Sequence, residues 1–340
     1  MKKLKVVGYT FLIVILVCCT FWVVVGLIPP KISVQNNPFI SSDRVMVAAH
    51  RGGADNNPEN TMKAFKSAVD NYNVDILESD LYLTSDGYLV FNHDSYIDET
   101  CNIYPELSQD EVKDLIDDKS KRHYIKDMTL EQLRQYNFGY YFEDENGDRP
   151  YKDVIKFKDE GLQILEASEM FSTFYKYKKD LLFIVEIKDD GERGKLATDT
   201  LINMLEENFT AYKNRIVIGT FHDEIEEYLA INYPNFFRGA STGAAAKFIV
   251  SEMFDLNNLC KAGFACLQIP MEYDLKVGKT KISLNLAKKE YINKAHKRNI
   301  AVQYWTINDE EEMKSLINLG CDAIMTDNPK LLNEVLQNAS

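Results

Sequence analysis

Two histidines stand directly after apolar, strand-like runs. His50 opens HRGG after VMVAA, and His93 closes YLVFNHD. Each has a charged neighbour, Arg51 or Asp94. Imidazoles titrate near neutral pH, so such a pair can deprotonate a nucleophile and protonate a leaving oxygen. The other histidines lack that placement. His123 and His296 read as surface residues, and His222 as the start of a helix. Carboxylates also occupy positions where a strand should be apolar. Glu78 and Asp80 lie two apart and share one strand face, and Glu186 sits inside LLFIVEIK. A buried carboxylate without a partner is costly. Three in one place would repel unless a cation sat among them, and an all-oxygen set suits Ca²⁺ or Mg²⁺ better than zinc. Arg51 and Lys188 are the adjacent cations, and Lys188 shares the face of Glu186. They could simply pair with the carboxylates. Beside a metal and two imidazoles, phosphate binding is the better reading. Glu59, in PENT, reads as part of a helix start that brings it toward the metal or Arg51.

These residues need elements to hold them. Short apolar runs at 45–49, 76–83, 88–92, 181–188, 215–219, 236–240, 265–269, 300–306 and 322–326 predict strands. Amphipathic segments at 59–71, 130–136, 166–177, 194–208, 223–232, 286–298 and 310–319 predict helices. Several strand runs are apolar on both faces, and the β–α alternation predicts a parallel α/β barrel. The ninth strand is explained by the turn signal TSDG at 84–87, which folds 76–83 and 88–92 into an antiparallel hairpin and sets Glu78 roughly across from His93. Residues 94–160 break the alternation. With 18 acidic and 10 basic residues, and with Tyr104, Tyr136, Tyr140, Tyr141 and Tyr151 scattered among them, they read as an insertion or lid above the barrel mouth.

Composition narrows the class. The chain has 340 residues, 45% hydrophobic, with 9 Pro and 16 Gly, which excludes a disordered tail or a collagen-like repeat. A core of this size needs no disulfide framework. Cys101, Cys260, Cys266 and Cys321 have no metal-site spacing and read as small buried hydrophobes, with a Cys260–Cys266 bridge open to a domain outside the cell. Residues 32–340 carry 35 Lys and Arg against 52 Asp and Glu, a balance of −17. So acidic a body does not suit nucleic acid.

Residues 6–28 hold no charge. As a helix they span about 34 Å, enough to cross a bilayer core. Lys2, Lys3 and Lys5 precede them, which predicts a cytoplasmic N-terminus and a body outside the cell membrane. Pro29 and Pro30 end the helix. A cleaved signal peptide is the competing reading, but the run is long for one and no small-residue cleavage site follows. The chain divides into an anchor (1–30), a short polar linker (31–44) and one catalytic domain (45–336).

In HRGGADNNPENT (50–61), ESDLYLTSDGYLVFNHD (78–94), DMTLEQL (127–133), LQILEASEMF (162–171), VEIK (185–188), WTIN (305–308) and DAIMTDNP (322–329), taken in this order, the sequence resembles the glycerophosphodiester phosphodiesterases. The resemblance implies a TIM barrel with an insertion after the HD motif. It implies that His50 and His93 are the general acid and base, and that Glu78, Asp80 and Glu186 hold one divalent cation. Arg51 and Lys188 then contact the substrate phosphate, Glu59 is a further acid nearby, and Trp305 is an aromatic at the rim. The implied reaction releases an alcohol and glycerol 3-phosphate. The nucleophile is water or the neighbouring glycerol hydroxyl, and choline, ethanolamine, glycerol and teichoic-acid units all stay open as the group released. Lysophospholipase D-like or phospholipase C-like activity on lipid or wall polymer is the alternative. A non-catalytic tethered binding protein would have lost a His or a metal carboxylate, and none is lost.

Overall fold

The computed structural model describes residues 2–41, 43–175, 178, 180–259, 262–277 and 280–338. Eight parallel strands, numbered among themselves, are β1 Met46–Ala49, β2 Ile76–Leu83, β3 Leu182–Ile187, β4 Ile216–Gly219, β5 Phe237–Arg238, β6 Cys266–Ile269, β7 Ala301–Tyr304 and β8 Ala323–Thr326. They neighbour one another in the order 5-4-3-2-1-8-7-6, and a parallel bridge between Gly239 and Cys266 joins the two ends. The result is a TIM barrel.

Alternation along each strand sorts its side chains. In β2, Leu77, Leu81 and Leu83 face the surrounding helices, while Ile76 faces the barrel interior. In β3, Phe183, Val185 and Ile187 face outward, and Leu182 and Ile184 inward. Continuing each inward series by steps of two reaches Glu78 and Asp80 on β2, then Glu186 and Lys188 at the end of β3. The register pairs Asp80 with Glu186 directly.

All nine predicted strands form, with ends trimmed by at most two residues. The helix predicted from residue 59 begins instead at Met62. Asn60 adopts a left-handed φ of 55°, and Thr61 caps the helix by accepting from the Ala64 amide. Residues 176 and 177 of the 166–177 helix prediction lie outside the described residues, as does Cys260. Cys266 is a free, buried thiol in β6. Helices Gln109–Ile116, Thr242–Met253 and Pro329–Asn338, and the hairpin Glu272–Val277 with Thr280–Asn285, are additional to the predicted elements, although the capping box at Ser108 and Glu111 marks the first of them. Thr242–Met253 opens on TGAAA, whose small residues mark no apolar stripe.

Two regions flank the barrel. The 94–160 segment packs around two apolar clusters of its own, one with Ile97, Ile125 and Leu133, the other with Val112, Ile116 and the rings of Tyr140 and Tyr141. Residues 33–41, read from sequence as polar linker, pack against the barrel's amino-terminal end. Phe39 is fully buried over Ala48, Ile76, Ala265 and Ala323. The Asn37 amide donates to the carbonyls of Ala265 and Asn299, and the Ser41 amide donates to Asp322. The NNP and SS motifs gave this stretch its linker-like look, yet its polar groups satisfy the strand-start carbonyls. Before it, helix Lys2–Leu27 contains a stretch, Tyr9–Leu27, long and apolar enough to be a membrane span, as a signal sequence also would be.

Candidate active site

The predicted site residues converge at the carboxyl ends of the strands. His50 follows β1 directly, and the next three residues all have positive φ: Arg51 at 52°, Gly52 at 86° and Gly53 at 91°. A Cβ on Gly52 would come within 2.8 Å of the Ala64 Cβ, so the turn requires glycine there. This tight turn points the Arg51 amide at Glu78, whose Oε2 accepts it at 2.8 Å. The Arg51 guanidinium reaches Glu59 at 2.8 Å and Asp80 at 3.2 Å. Glu59 therefore holds Arg51.

Lys188 Nζ sits 3.2 Å from both Asp80 and Glu186. His93 Nδ1 lies 3.3 Å from Asp94 Oδ1. The hairpin register pairs Leu81 with Phe91, and the Asn92 amide donates to the Asp80 carbonyl, so His93 falls one position away from the pairing with Glu78 that the turn spacing suggested. Trp305 follows β7 and packs edge-to-face on Phe221 at 5.6 Å, and Lys188 Nζ lies 6.0 Å from the Phe221 ring.

Four contributors escaped the sequence reading. Asp327, just past β8, accepts from His50 Nδ1 at 2.6 Å, and its other oxygen accepts from Asn308 at 2.7 Å. Asn60 donates to Asp80 Oδ2 and accepts from the Asp80 amide. Phe221 follows β4. Asp327 occupies the same strand-end position that singled out His50, so that logic extended to acids would have found it. Among the other histidines, His222 stands just before helix Asp223–Asn232, with its Nε2 3.2 Å from the Lys188 carbonyl oxygen rather than on the helix amides. His123 and His296 are partly buried and each binds a buried aspartate, Asp98 at 2.7 Å and Asp322 at 2.8 Å. Those pairings correct their reading as plain surface residues; nothing in the local sequence announces partners so distant along the chain.

The electrostatics are those of a crowded anionic centre. Burial, reinforced by the charge of Asp80, pushes Glu78 up to about 8. Burial also raises Glu186, against the pull of Lys188. Asp80 feels the same burial, but Lys188 and Arg51 outweigh it and hold its carboxyl below the usual range. Burial lowers His50, yet the hydrogen bond to Asp327 and the charge of Glu78 leave it above its ordinary value.

Glu78, Asp80 and Glu186 each offer an oxygen within 4.8 Å of the others. All three ligand atoms are hard oxygens, and among the described residues the buried Glu78 carboxylate accepts its hydrogen bond from a backbone amide, with no side-chain donor. The set therefore fits a hard divalent cation.

Comparison with known proteins agrees with this geometry. A family model described as the glycerophosphoryl diester phosphodiesterase family matches residues 50–331. A glycerophosphodiester phosphodiesterase of Caldanaerobacter subterraneus is 26% identical over 293 residues, covering 85% of this chain and 96% of that protein. A lysophospholipase D of Rattus norvegicus is 24% identical, covering 86% of each. An Oleispira antarctica phosphodiesterase, solved with the product sn-glycerol 3-phosphate, superposes with a TM-score of 0.59 at 19% identity, covering 86% of this chain and 97% of that one.

Proposed function

The chain belongs to the glycerophosphoryl diester phosphodiesterase family, and from that premise we propose that it hydrolyses glycerophosphodiesters to an alcohol and glycerol 3-phosphate, with His50 and His93 exchanging the protons. The observation that carries this reading is the meeting at one barrel mouth of two imidazoles, a carboxylate trio, and the paired cations Arg51 and Lys188. One imidazole takes the proton of the attacking hydroxyl, from water or from the neighbouring glycerol hydroxyl. The other gives a proton to the departing alkoxide oxygen. Asp327 fixes the His50 ring by holding Nδ1, which leaves Nε2 for the reacting atoms. Arg51 and Lys188, held by Glu59, Asp80 and Glu186, are placed to offset charge on the phosphoryl oxygens. Glu78, Asp80 and Glu186 would hold one divalent cation, Ca²⁺ or Mg²⁺, which when bound polarises a phosphoryl oxygen and receives glycerol hydroxyls. The rim pair Trp305 and Phe221 gives the substrate an apolar wall.

The apolar N-terminal helix supports a single-pass membrane protein, with Lys2, Lys3 and Lys5 on the cytoplasmic side and the barrel outside. The rat relative favours a second reading, cleavage of lysophospholipids. The test uses the full chain in detergent with glycerophosphocholine, assayed with chelator and then with Ca²⁺ or Mg²⁺ restored. Release of glycerol 3-phosphate that disappears with chelator and returns with one ion is expected. A folded chain that releases none with either ion refutes the reading.

A further inference from the structure

The barrel's two ends are committed to different tasks, and the N-terminal helix joins the end remote from the chemistry. Residues 33–41 dock on the starts of the strands. The Ser33 amide donates to the Arg298 carbonyl, its hydroxyl donates to Phe264, and Asn299 donates to the Val34 carbonyl. Arg298, Phe264 and Asn299 all precede β7 or β6, so this is the amino-terminal rim. Only four residues, Pro29 to Ile32, separate Ile28, past the end of the apolar stretch, from the docked Ser33. The helix end also touches the body directly: Val25 is buried, and the Asn258 side chain donates to its carbonyl at 3.3 Å. A connection this short, with a contact at each end, ties the helix end to the amino-terminal rim.

The site residues lie at the opposite rim. From Ile300 to Trp305 the chain climbs β7, about 16 Å of extended backbone, or roughly 13 Å along the barrel axis at the usual tilt. The layer formed by Phe39 and its neighbours adds to that separation. A phosphodiester in the headgroup plane of the spanned bilayer would have to cross the whole barrel to reach His50.

We propose that the rigidly docked 33–41 segment points the catalytic mouth away from the bilayer that the helix spans, so that the enzyme takes unacylated glycerophosphodiesters from the aqueous side and leaves lysophospholipids of its own membrane uncleaved. This rests on the phosphodiesterase and membrane-span readings above. A tethered active site that cannot span the distance to its target has an effective concentration there near zero.

The chain carries its own probes, because its two tryptophans, Trp22 and Trp305, mark the two ends. The full chain is placed in proteoliposomes as Trp22→Phe, leaving Trp305, and as Trp305→Phe, leaving Trp22. Lipid with an acyl-chain nitroxide should quench Trp22 strongly. Lipid with a headgroup nitroxide should leave Trp305 unquenched, while aqueous acrylamide quenches it. In the same vesicles the Trp22→Phe chain receives glycerophosphocholine outside and lysophosphatidylethanolamine within the bilayer. Choline release should exceed ethanolamine release by about tenfold or more. Quenching of Trp305 by the headgroup label, or ethanolamine release equal to choline release, overturns the inference. An unquenched Trp22 defeats the membrane-span reading and the inference with it. If neither headgroup is released, in vesicles or in detergent, the phosphodiesterase reading fails, and the Trp305 quenching result reports the orientation independently.

Discussion

At its amino-terminal end the barrel interior is filled by Ile76, Leu182 and Ala265 beneath Phe39, and Asn37 donates to strand-start carbonyls there. A few inward positions farther along β2 and β3 stand Glu78, Asp80 and Glu186, within 4.8 Å of one another. One face of each strand thus passes from oil-like packing to a charged centre in about 7 Å, the rise of two residues. The lower end gains from burial. The upper end bears its cost, because burial raises Glu78 and Glu186 toward protonation. Stability and chemistry are therefore separable by rim, and substitutions at the two rims should give opposite phenotypes.

The largest expected effect is at the upper rim. His50→Ala or His93→Ala should lower turnover by about 10³-fold or more, since general acid–base catalysis contributes on that scale. The melting temperature should move by no more than a few degrees, because neither ring belongs to the apolar core. Steady-state assay beside thermal melting checks both. A His93→Ala enzyme of wild-type activity would remove it from the acid–base pair.

The converse belongs to the lower rim. Phe39→Ala should cost about 3–5 kcal/mol of stability, as expected for a fully buried aromatic. Activity per folded molecule should hold, since Phe39 packs at the strand starts over Ala48, Ile76, Ala265 and Ala323, away from the strand ends that carry the histidines and carboxylates. Urea titration followed by assay at low denaturant would show it. A drop in kcat without loss of stability would mean the two ends are coupled and the separation is false.

The two rims also differed in how far the sequence disclosed them. The upper one was largely legible because a carboxylate in a buried strand or a histidine at a strand end violates local rules, and such violations are visible in a linear string. Glu186 inside LLFIVEIK is the clearest case. Asp327 carries the same strand-end signal as His50, but its pairing with His50, 277 residues away, exists only once the barrel closes. The lower rim stayed hidden for the opposite reason. Phe39 breaks no rule in a polar stretch, and only the closed barrel creates the apolar opening it fills. Likewise Glu59 was placed on a helix, whereas the left-handed Asn60 delays the helix and turns Glu59 toward Arg51.

A smaller effect measures the charge cost itself. In the folded, metal-free protein, burial and the charge of Asp80 push Glu78 up to about 8, well above an unfolded glutamate. Its raised value means that the folded state binds the proton more tightly. In chelator, this stabilising contribution is complete below about pH 4.5 and is lost as pH climbs through 8. Glu78→Gln keeps an acceptor for the Arg51 amide and removes the titration. The variant should match wild type near pH 5 and melt several degrees higher at pH 9. A gap that does not widen with pH would show that Glu78 bears no such cost.

The smallest expected change is at Asp327. Its hydrogen bond to Nδ1 helps raise His50, so Asp327→Asn should lower the His50 pKa, measurable from its ring C–H resonance. Turnover should fall about tenfold, equivalent to roughly 1.4 kcal/mol, because the ring keeps its place but loses its orienting charge. The pH profile carries the sharper information. If His50 is the base, it must be deprotonated to act, and the acid limb of kcat/KM moves to lower pH. If His50 is the acid, it must be protonated, and the alkaline limb moves to lower pH. A profile in which neither limb moves, although the resonance shifts, would take His50 out of the proton transfer and leave it a positioning residue for the Arg51 turn.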